Sequence, residues 1–334
     1  MHFALGLLRV VLSLLIVATS VPAILALLGL AVAALDVFNH LQLLLFFGTL
    51  VAVILALLLR MPGAVTVLAA LGFAASAWTF VPEWLSSFEP RPPLPTDGRP
   101  VLKLMTHNVF GLNTDMKRMA AAIFAEDPDI VALQEFFPEQ TPLDALIHPR
   151  YPYTVRCKGG KRANIALYSK MPFDNEMGAT DCPQTEGEQR TAHIVAAFAL
   201  ANGTHFSVLT THFDWPLPVE RQQDELRTIE DVIAGISGPL IVVGDFNSTP
   251  WSYAMKGFEA ATALRRETRV PLTYPMMITV PSRISRDNLL RTLPFLPLDQ
   301  VFERGIAVHE LHVGAPTGSD HLPVFFRFSV PPTQ

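Results

Sequence analysis

The sequence predicts an α/β domain that follows an apolar, helical membrane anchor, and three observations carry this prediction. The first is an uneven distribution of charge, because residues 1–89 contain only five charged side chains. The second is an alternation of strand-like and helix-like segments from Val101 onward. The third is a series of polar residues that lie just after apolar strands, where open sheets gather ligand sites.

Charge and cysteine content limit the function classes. Of the 25 basic and 30 acidic residues, two and three respectively lie before position 90, so the remainder carries a net charge of −4. An acidic domain lacks the general basic face that nucleic-acid-binding proteins usually present. The two cysteines, Cys157 and Cys182, form no C-x-x-C pair, which argues against zinc. A disulfide between them and two free thiols are both compatible with the sequence.

Three charge-free runs extend over Val10–Leu35, Val37–Leu59 and Met61–Pro82. Each supplies the roughly 20 apolar residues that cross a hydrocarbon core of about 30 Å. We therefore predict that residues 1–82 form a multi-pass transmembrane anchor of about three helices, with the lipid bilayer as its partner. Two spans, or a cleaved signal peptide in place of the first, are the alternatives.

The anchor also predicts an orientation. With three spans, Arg9 and Arg60 lie on the same side of the membrane, which the positive-inside rule assigns to the cytoplasm. The domain that follows is then extracytoplasmic. Residues 83–100 are rich in proline and read as a semi-rigid linker of polyproline II type, so the globular domain occupies residues 101–330.

Periodicity places strands and helices in this globular domain. The predicted helices cover Asp115–Ala125 and Glu220–Ile236. The predicted strands cover Val101–Val109, Ile130–Gln134, Asn164–Ser169, His193–Leu200, His205–Thr211, Pro239–Val243 and runs at Val301, Val308 and Pro323–Phe328. Such an alternation, interrupted by hairpins, indicates a mixed sheet.

Six short segments carry residues that can do chemistry. They are Thr106-His107-Asn108, Leu133-Gln134-Glu135, Thr210-Thr211-His212, Gly244-Asp245-Phe246-Asn247, Leu298-Asp299-Gln300 and Ser319-Asp320-His321. Each one alone has an ordinary explanation as a turn, a cap or a solvated edge. Together they supply oxygen ligands that suit Mg²⁺ or Mn²⁺, a carboxylate able to activate water, and histidines able to donate to a phosphate.

In this order, the six segments resemble the endonuclease/exonuclease/phosphatase superfamily over Val101–Phe328. The resemblance implies a four-layer α/β sandwich, in which two packed mixed sheets are flanked by helices and the site lies at one end of the sheets. It also implies a phosphodiesterase or phosphatase that depends on Mg²⁺ or Mn²⁺. The anchor, together with the run from Asp245 to Ser252, is similar to a bacterial membrane-bound branch, which implies the bacterial inner membrane.

The resemblance assigns a role to each residue. The metal ligands would be Glu135, Asn108 and Asp320; the catalytic residues Asp245, Asn247, His212, His321 and Asp299; and the substrate-binding residues Arg190 and Asn247. Asp245 would orient or deprotonate the attacking water, and Asn247 would hold the phosphate. His321, paired with Asp299, and His212 would stabilise the transition state or protonate the leaving oxygen.

The substrate stays open at this point. The segment Arg265–Arg291 contains six arginines and many apolar residues, which favours a phospholipid-like phosphoester at a membrane surface. A nucleic acid is the alternative, and a catalytically inactive module that binds a phosphorylated ligand is the other class. Phe110 stands where some nucleases have an acid, so the number of metal ions, one or two, stays open. The sequence indicates no obligate protein partner.

Overall fold

The computed structural model describes residues 2–157, 164–174, 179–180, 191–279 and 289–331. Its helices are α1 (His2–Leu27), α2 (Gln42–Leu58), α3 (Gly63–Ser86), α4 (Met116–Glu126), α5 (Thr141–Ile147), α6 (Val219–Ala234) and α7 (Tyr253–Thr262). Short 3-10 helices cover Leu28–Leu30, Ala33–Leu41 and Pro138–Gln140.

Two six-stranded mixed sheets form the α/β part. The strands of the first sheet, in spatial order, are β13 (Ala307–Val313), β14 (Val324–Ser329), β1 (Leu102–Asn108), β2 (Ile130–Gln134), β4 (Ile165–Ser169) and β3 (Tyr153–Cys157). Those of the second are β5 (Ala179–Thr180), β6 (Ala192–Ala199), β7 (His205–His212), β8 (Leu240–Asp245), β12 (Asp299–Arg304) and β9 (Arg265–Arg266). A separate hairpin pairs β10 (Met277–Thr279) with β11 (Leu289–Arg291).

Strand alternation produces four layers. Leu104 of β1 and Val208 of β7 point into one apolar cluster between the two sheets. Their neighbours Met105 and Leu209 point outward, Met105 into a cluster with α4 and α5, Leu209 into a cluster with α6 and α7. Because successive strand residues face opposite sides, each apolar strand contributes side chains both to the central core and to an outer core. The predicted sandwich of two mixed sheets flanked by helices is confirmed.

The strand order brings polar strand ends to one edge. Parallel pairing of β1 with β2 sets Asn108 opposite Gln134. Parallel pairing of β7 with β8 sets His212 opposite Asp245. Since the carboxyl ends of parallel strands meet at the same edge, both pairs deliver their last residues to one region.

Three helical segments near the N-terminus are long and apolar enough to cross a membrane: Gly6–Leu30, Ala33–Leu58 and Gly63–Ser86. Helices α1 and α3 pack closely, because a Cβ on Gly72 would lie 2.5 Å from the Cβ of Ser20. Helix α3 continues through Pro82, so regular helix extends four residues into the stretch interpreted as linker.

The end of α3 and the segment after it both contact the α/β part. Glu83 forms a 2.9 Å ion pair with the buried Arg266, and Arg91 forms an ion pair with Glu267. The carbonyl of Pro92 lies 3.0 Å from Nδ1 of His309. Contacts along its length therefore fix this segment to the globular surface.

The interpretation of the arginine-rich segment as a free headgroup-binding surface is wrong for its first half. Arg265 lies 2.7 Å from Glu303, and Arg269 lies 3.6 Å from Glu89. Together with Arg266, these arginines neutralise acidic groups, two of which come from the end of the anchor and the segment after it. Arg283 and Arg286 lie outside the described residues, and Arg291 is exposed.

Of the two cysteines, Cys157 at the end of β3 is disulfide-bonded. Cys182, the other cysteine of the chain, lies outside the described residues.

Candidate active site

The predicted site residues converge at one edge of the two sheets. Asn108 ends β1, Glu135 follows β2, His212 ends β7, Asp245 ends β8, Asp299 begins β12, and Asp320 and His321 precede β14. Asn247 lies in the loop after β8. Arg190, the predicted phosphate contact, lies outside the described residues.

Asp245 lies at the centre of the cluster, with 1% of its surface exposed. Its Oδ2 accepts a hydrogen bond from Nδ2 of Asn108 at 2.9 Å, so a residue of the first sheet contacts a residue of the second. The same oxygen lies 3.5 Å from Nε2 of His212 and 3.5 Å from Nε2 of His321. A carboxylate in this position can accept a proton from a water that lies between the two imidazoles.

His321 is held by a second carboxylate. Its Nδ1 lies 2.8 Å from Oδ2 of Asp299, and both residues are buried. Burial opposes the charge on the ring, but the carboxylates of Asp299 and Asp245 outweigh it and raise the pKa of His321 to about 10. His321 is therefore a fixed cation at neutral pH, suited to stabilise negative charge on a phosphate.

Three non-glycine residues around the site have a left-handed backbone: Phe110 (φ 62°), Glu135 (φ 53°) and Asn247 (φ 47°). Such conformations carry a cost of about 1–3 kcal/mol and cluster at functional sites. At Asn247 two contacts maintain the conformation. Its backbone N–H donates to Oδ1 of Asp245 at 2.9 Å, and its amide donates to the carbonyl of Phe213 at 2.8 Å.

The residues around Glu135 suit a divalent cation. Oε2 of Glu135 accepts a hydrogen bond from the N–H of Gly111 at 2.9 Å. Burial raises the pKa of Asp320 to about 7; the charge of His321 opposes this shift, and the nearby carboxylates of Glu135 and Asp245 add to it. Oδ1 of Asp320 is buried and has no hydrogen-bond partner among the described residues. This excess of negative charge, on hard oxygen donors, fits Mg²⁺ or Mn²⁺.

The residues present fit a metal site that is only partly surrounded by protein ligands. Among the described residues, no group of three or more His, Cys, Asp or Glu side chains already surrounds a metal position. Mg²⁺ retains several waters and needs only one or two carboxylates, so an open arrangement is compatible with it. The oxygen of Asn108 accepts from the N–H of Phe110 at 2.9 Å, and its NH₂ faces Glu135 and Asp245. As observed, Asn108 bridges the two carboxylates, and ligation through its oxygen requires the amide to turn over.

The sequence analysis missed Tyr274, whose ring lies 4.7 Å from the ring of His321. Burial, followed by the charges of Asp320 and Asp245, raises the pKa of the Tyr274 hydroxyl, so it stays protonated. The ring of Trp215 also packs near Tyr274, with the two ring centres 5.8 Å apart. Both lie in loops without periodicity or a motif, so no local signal indicated them.

Comparisons with known proteins identify the family to which this chain belongs. The sequence profile described as the Endonuclease/Exonuclease/phosphatase family matches residues 105–321. A UPF0294 protein of Vibrio cholerae serotype O1 is 30% identical over 139 residues, which cover 40% of this chain and 44% of that protein, less than half its length.

Two solved structures share the fold. TDP2 of D. rerio, complexed with a single-strand DNA product, gives a TM-score of 0.55 at 16% identity and covers 69% of this chain and 99% of that one. Sphingomyelinase C of Streptomyces griseocarneus gives 0.51 at 18% identity and covers 70% and 100%. On the evidence of the profile match, the chain belongs to the endonuclease/exonuclease/phosphatase family, whose members are generally metal-dependent phosphoester hydrolases.

Proposed function

We propose that this protein is a membrane-anchored phosphoester hydrolase that uses Mg²⁺ or Mn²⁺ and cleaves its substrate by attack of water on phosphorus. The observation that carries the proposal is the position of Asp245. Its carboxylate lies 3.5 Å from two imidazoles, one of them the cation His321, and shares Asn108 with the carboxylate of Glu135. A base, a cation and oxygen ligands thus occupy one cluster, whose centre is buried.

Each group has a defined part in the proposed reaction. Asp245 orients the attacking water and accepts its proton as the new P–O bond forms. His321, charged and oriented by Asp299, stabilises the negative charge that develops on the phosphoryl oxygens, and Asn247 holds one of these oxygens. His212 donates a proton to the leaving oxygen.

Glu135 and Asp320 would hold the divalent ion, with Asn108 beside them. When bound, that ion would neutralise phosphate charge and make the phosphorus more electrophilic.

We further propose a phospholipid-like substrate confined to the membrane surface. Hairpin β10–β11 carries exposed Ile278 and Leu290 as a directly opposed pair, and Leu293 nearby is 83% exposed. The hairpin adjoins the site, because the N–H of Met276 donates to the carbonyl of Asp320 at 2.7 Å. An apolar rim suits a lipid better than a nucleic-acid backbone, which needs free cations.

Nucleic acid is the second candidate substrate. The structural likeness to TDP2, solved with a DNA product, motivates it, just as the likeness to sphingomyelinase C motivates the lipid. The pairing of Arg265, Arg266 and Arg269 with carboxylates argues against phosphate binding by these side chains in either substrate, so the exposed apolar residues of the hairpin are what favours the lipid.

The location is part of the proposal. We infer that residues 1–82 anchor the chain in a bacterial inner membrane and that the catalytic domain, residues 101–330, is extracytoplasmic. Two contacts support a domain on the side of the membrane opposite Arg60. The segment before α2 and the end of α3 both contact the α/β part, as expected if both lie on the same side as this part. Arg60 lies after the far end of α2, about 25 Å away for a helix of 17 residues.

The test is a hydrolysis screen of the full-length protein in lipid nanodiscs, with Mg²⁺, Mn²⁺ or EDTA. Phospholipids, DNA, RNA and a small soluble phosphodiester are the substrates. Glu135→Gln and Asp245→Asn should each lower kcat roughly 10²- to 10⁴-fold. Glu310→Gln, an exposed carboxylate on β13, is the matched control and should retain the wild-type rate.

The possible outcomes separate the candidates. Turnover of phospholipid that EDTA abolishes supports the proposal in full. Cleavage of DNA or RNA with lipid untouched identifies a membrane-tethered nuclease. Metal-dependent binding of phosphoesters without turnover of any of them identifies an inactive binding module, and wild-type kcat in both site variants contradicts the assigned roles.

A further inference from the structure

The membrane anchor contributes side chains to the loop beside the candidate active site. The 3-10 helix Ala33–Leu41 lies between helices α1 and α2, at the start of the second candidate span, and carries Asp36 and His40. Both side chains contact the segment from Thr249 to Ala254, which begins two residues after Asn247. The polar residues that separate or weaken the first two hydrophobic runs are therefore in contact with the catalytic domain.

Asp36 completes the N-terminus of helix α7. The first four N–H groups of a helix have no partner within the helix unless something else accepts from them. Tyr253 donates to Oδ1 of Asp36 at 2.9 Å, and Ala254 donates to Oδ2 at 3.0 Å. The carboxylate also carries the negative charge that the positive end of a helix dipole favours.

The two remaining N–H groups are satisfied locally. Met255 donates to the hydroxyl of Ser252 at 3.2 Å, and Ser252 itself donates to the carbonyl of Thr249 at 3.1 Å. The cap of α7 is thus half local and half supplied by the anchor. Without Asp36, two backbone donors at the end of the loop lose their acceptors.

His40 binds the middle of the same loop. The N–H of Thr249 donates to Nδ1 of His40 at 3.1 Å, and the hydroxyl of Thr249 lies 3.2 Å from the same nitrogen. Because a backbone N–H can only donate, Nδ1 is the acceptor and the ring carries its proton on Nε2. Thr249 is fully buried, so this contact is shielded from water.

The anchor side of this contact is itself held in place. Nδ2 of Asn39 donates to Asp36, Nε2 of Gln42 donates to Asn39, both at 2.8 Å, and the hydroxyl of Ser76 donates to Gln42 at 2.7 Å. This chain of buried hydrogen bonds runs from α3 to Asp36. Packing is tight as well, because a Cβ on Gly29 would lie 2.8 Å from Cα of Asp36.

The catalytic domain holds the loop from its other side. The amide of Gln300 donates to the carbonyl of Ser248 at 3.1 Å, and the hydroxyl of Ser248 donates to Gln222 at 3.2 Å. The loop therefore lies between β12 and α6 of the domain and the 3-10 helix of the anchor. The loop begins directly after Asp245, and its second residue is the left-handed Asn247.

We propose that Asp36 and His40 are positioning residues, which fix the loop after β8 so that Asn247 keeps its place beside Asp245. On this proposal the anchor is a structural part of the active site as well as a tether. The proposal rests on the hydrolase function for its kinetic consequence, while the docking of the loop can be measured without any activity.

The experiment uses full-length protein in nanodiscs and compares His40→Leu and Asp36→Ala with wild type. Each should lower kcat about ten- to a hundredfold with little change in KM, since small displacements of positioned groups have effects of this size. His40→Gln retains an acceptor and should recover most of the loss. Thr49→Ala is the matched control, because its buried hydroxyl bonds the carbonyl of Leu45 within α2, away from the loop.

Amide hydrogen exchange gives the second readout. Exchange at Thr249, Tyr253 and Ala254 should accelerate in His40→Leu and Asp36→Ala and stay at the wild-type rate in Thr49→Ala. Unchanged exchange in both anchor variants, or unchanged kcat in an active enzyme, overturns the proposal. A wild type that hydrolyses no phosphoester contradicts the proposed function instead. The exchange rates then still test whether Asp36 and His40 hold the loop after β8.

Discussion

At Gly244 strands β7 and β8 lie too close together for any side chain, which makes Gly244→Ala an informative perturbation. Gly244 has φ 152°, and a Cβ built on it would lie 1.9 Å from the carbonyl oxygen of Thr211. That oxygen is backbone within a strand, so it cannot rotate away as a flexible side chain would. The two strands must separate, or the residue must change its backbone conformation.

Two costs add to give the expected destabilisation. The unfavourable backbone conformation costs about 1–3 kcal/mol, and overpacking at a tight contact costs about 1–3 kcal/mol. The sum, about 2–6 kcal/mol, corresponds to a fall in Tm of roughly 5–20 °C for a domain of this size.

Activity should fall as well. The next pair in register is His212 with Asp245, whose Nε2 and Oδ2 are 3.5 Å apart. A displacement near 1 Å there would lower kcat by about 10²-fold.

The assay is thermal unfolding of the full-length protein in detergent, together with kcat on the substrate that the screen identifies. Gly257→Ala is the matched control, because Gly257 lies in α7 with nothing within 4 Å of its added Cβ. Alanine is favoured over glycine in a helix by about 0.5–1 kcal/mol, so this variant should be as stable as wild type or more so. If Gly244→Ala matches wild type in Tm and kcat, the close approach of β7 and β8 does not constrain the site.

Two further predictions concern the site and the membrane. Asp299→Asn removes a charge that keeps His321 cationic, so kcat should fall roughly 10²- to 10⁴-fold. Asp144→Asn is its control, because that carboxylate accepts from the Tyr168 hydroxyl outside the site, and equal kcat in the two variants would refute the role of Asp299. For orientation, a C-terminal alkaline phosphatase fusion should be active and a C-terminal fluorescent protein fusion dark. The reverse pattern would place the domain in the cytoplasm and require an even number of spans.

Local pattern was enough to predict most of the α/β elements. Strand β1 and helix α4 lie within one residue of the predicted bounds at each end, because alternation and helical spacing record which face of an element is buried. Helices α5 and α7 were missed, because at 7 and 10 residues they are too short for a helical period to stand out. The order of the six motifs identified the family, and the polar residues just after strands indicated the edge where the candidate site lies.

Contacts between distant parts of the chain required the tertiary structure. Asp36 meets Tyr253 across 217 positions, and His40 meets Thr249 across 209, with no periodicity or motif to connect them. The arginine-rich segment shows the same limit, because charge alone does not reveal that Arg266 is already paired with Glu83.

The sequence by itself determined the three long apolar runs, the alternation that builds two sheets, and which residue types follow the strands. These are local properties, which follow from the spacing and the hydrophobicity of residues near one another in the chain. The tertiary structure alone decided that Asn108 of one sheet would contact Asp245 of the other and that the anchor would cap helix α7. The physical reason is that a hydrogen bond or ion pair depends on where two backbones meet in space, and that is fixed only when the layers pack.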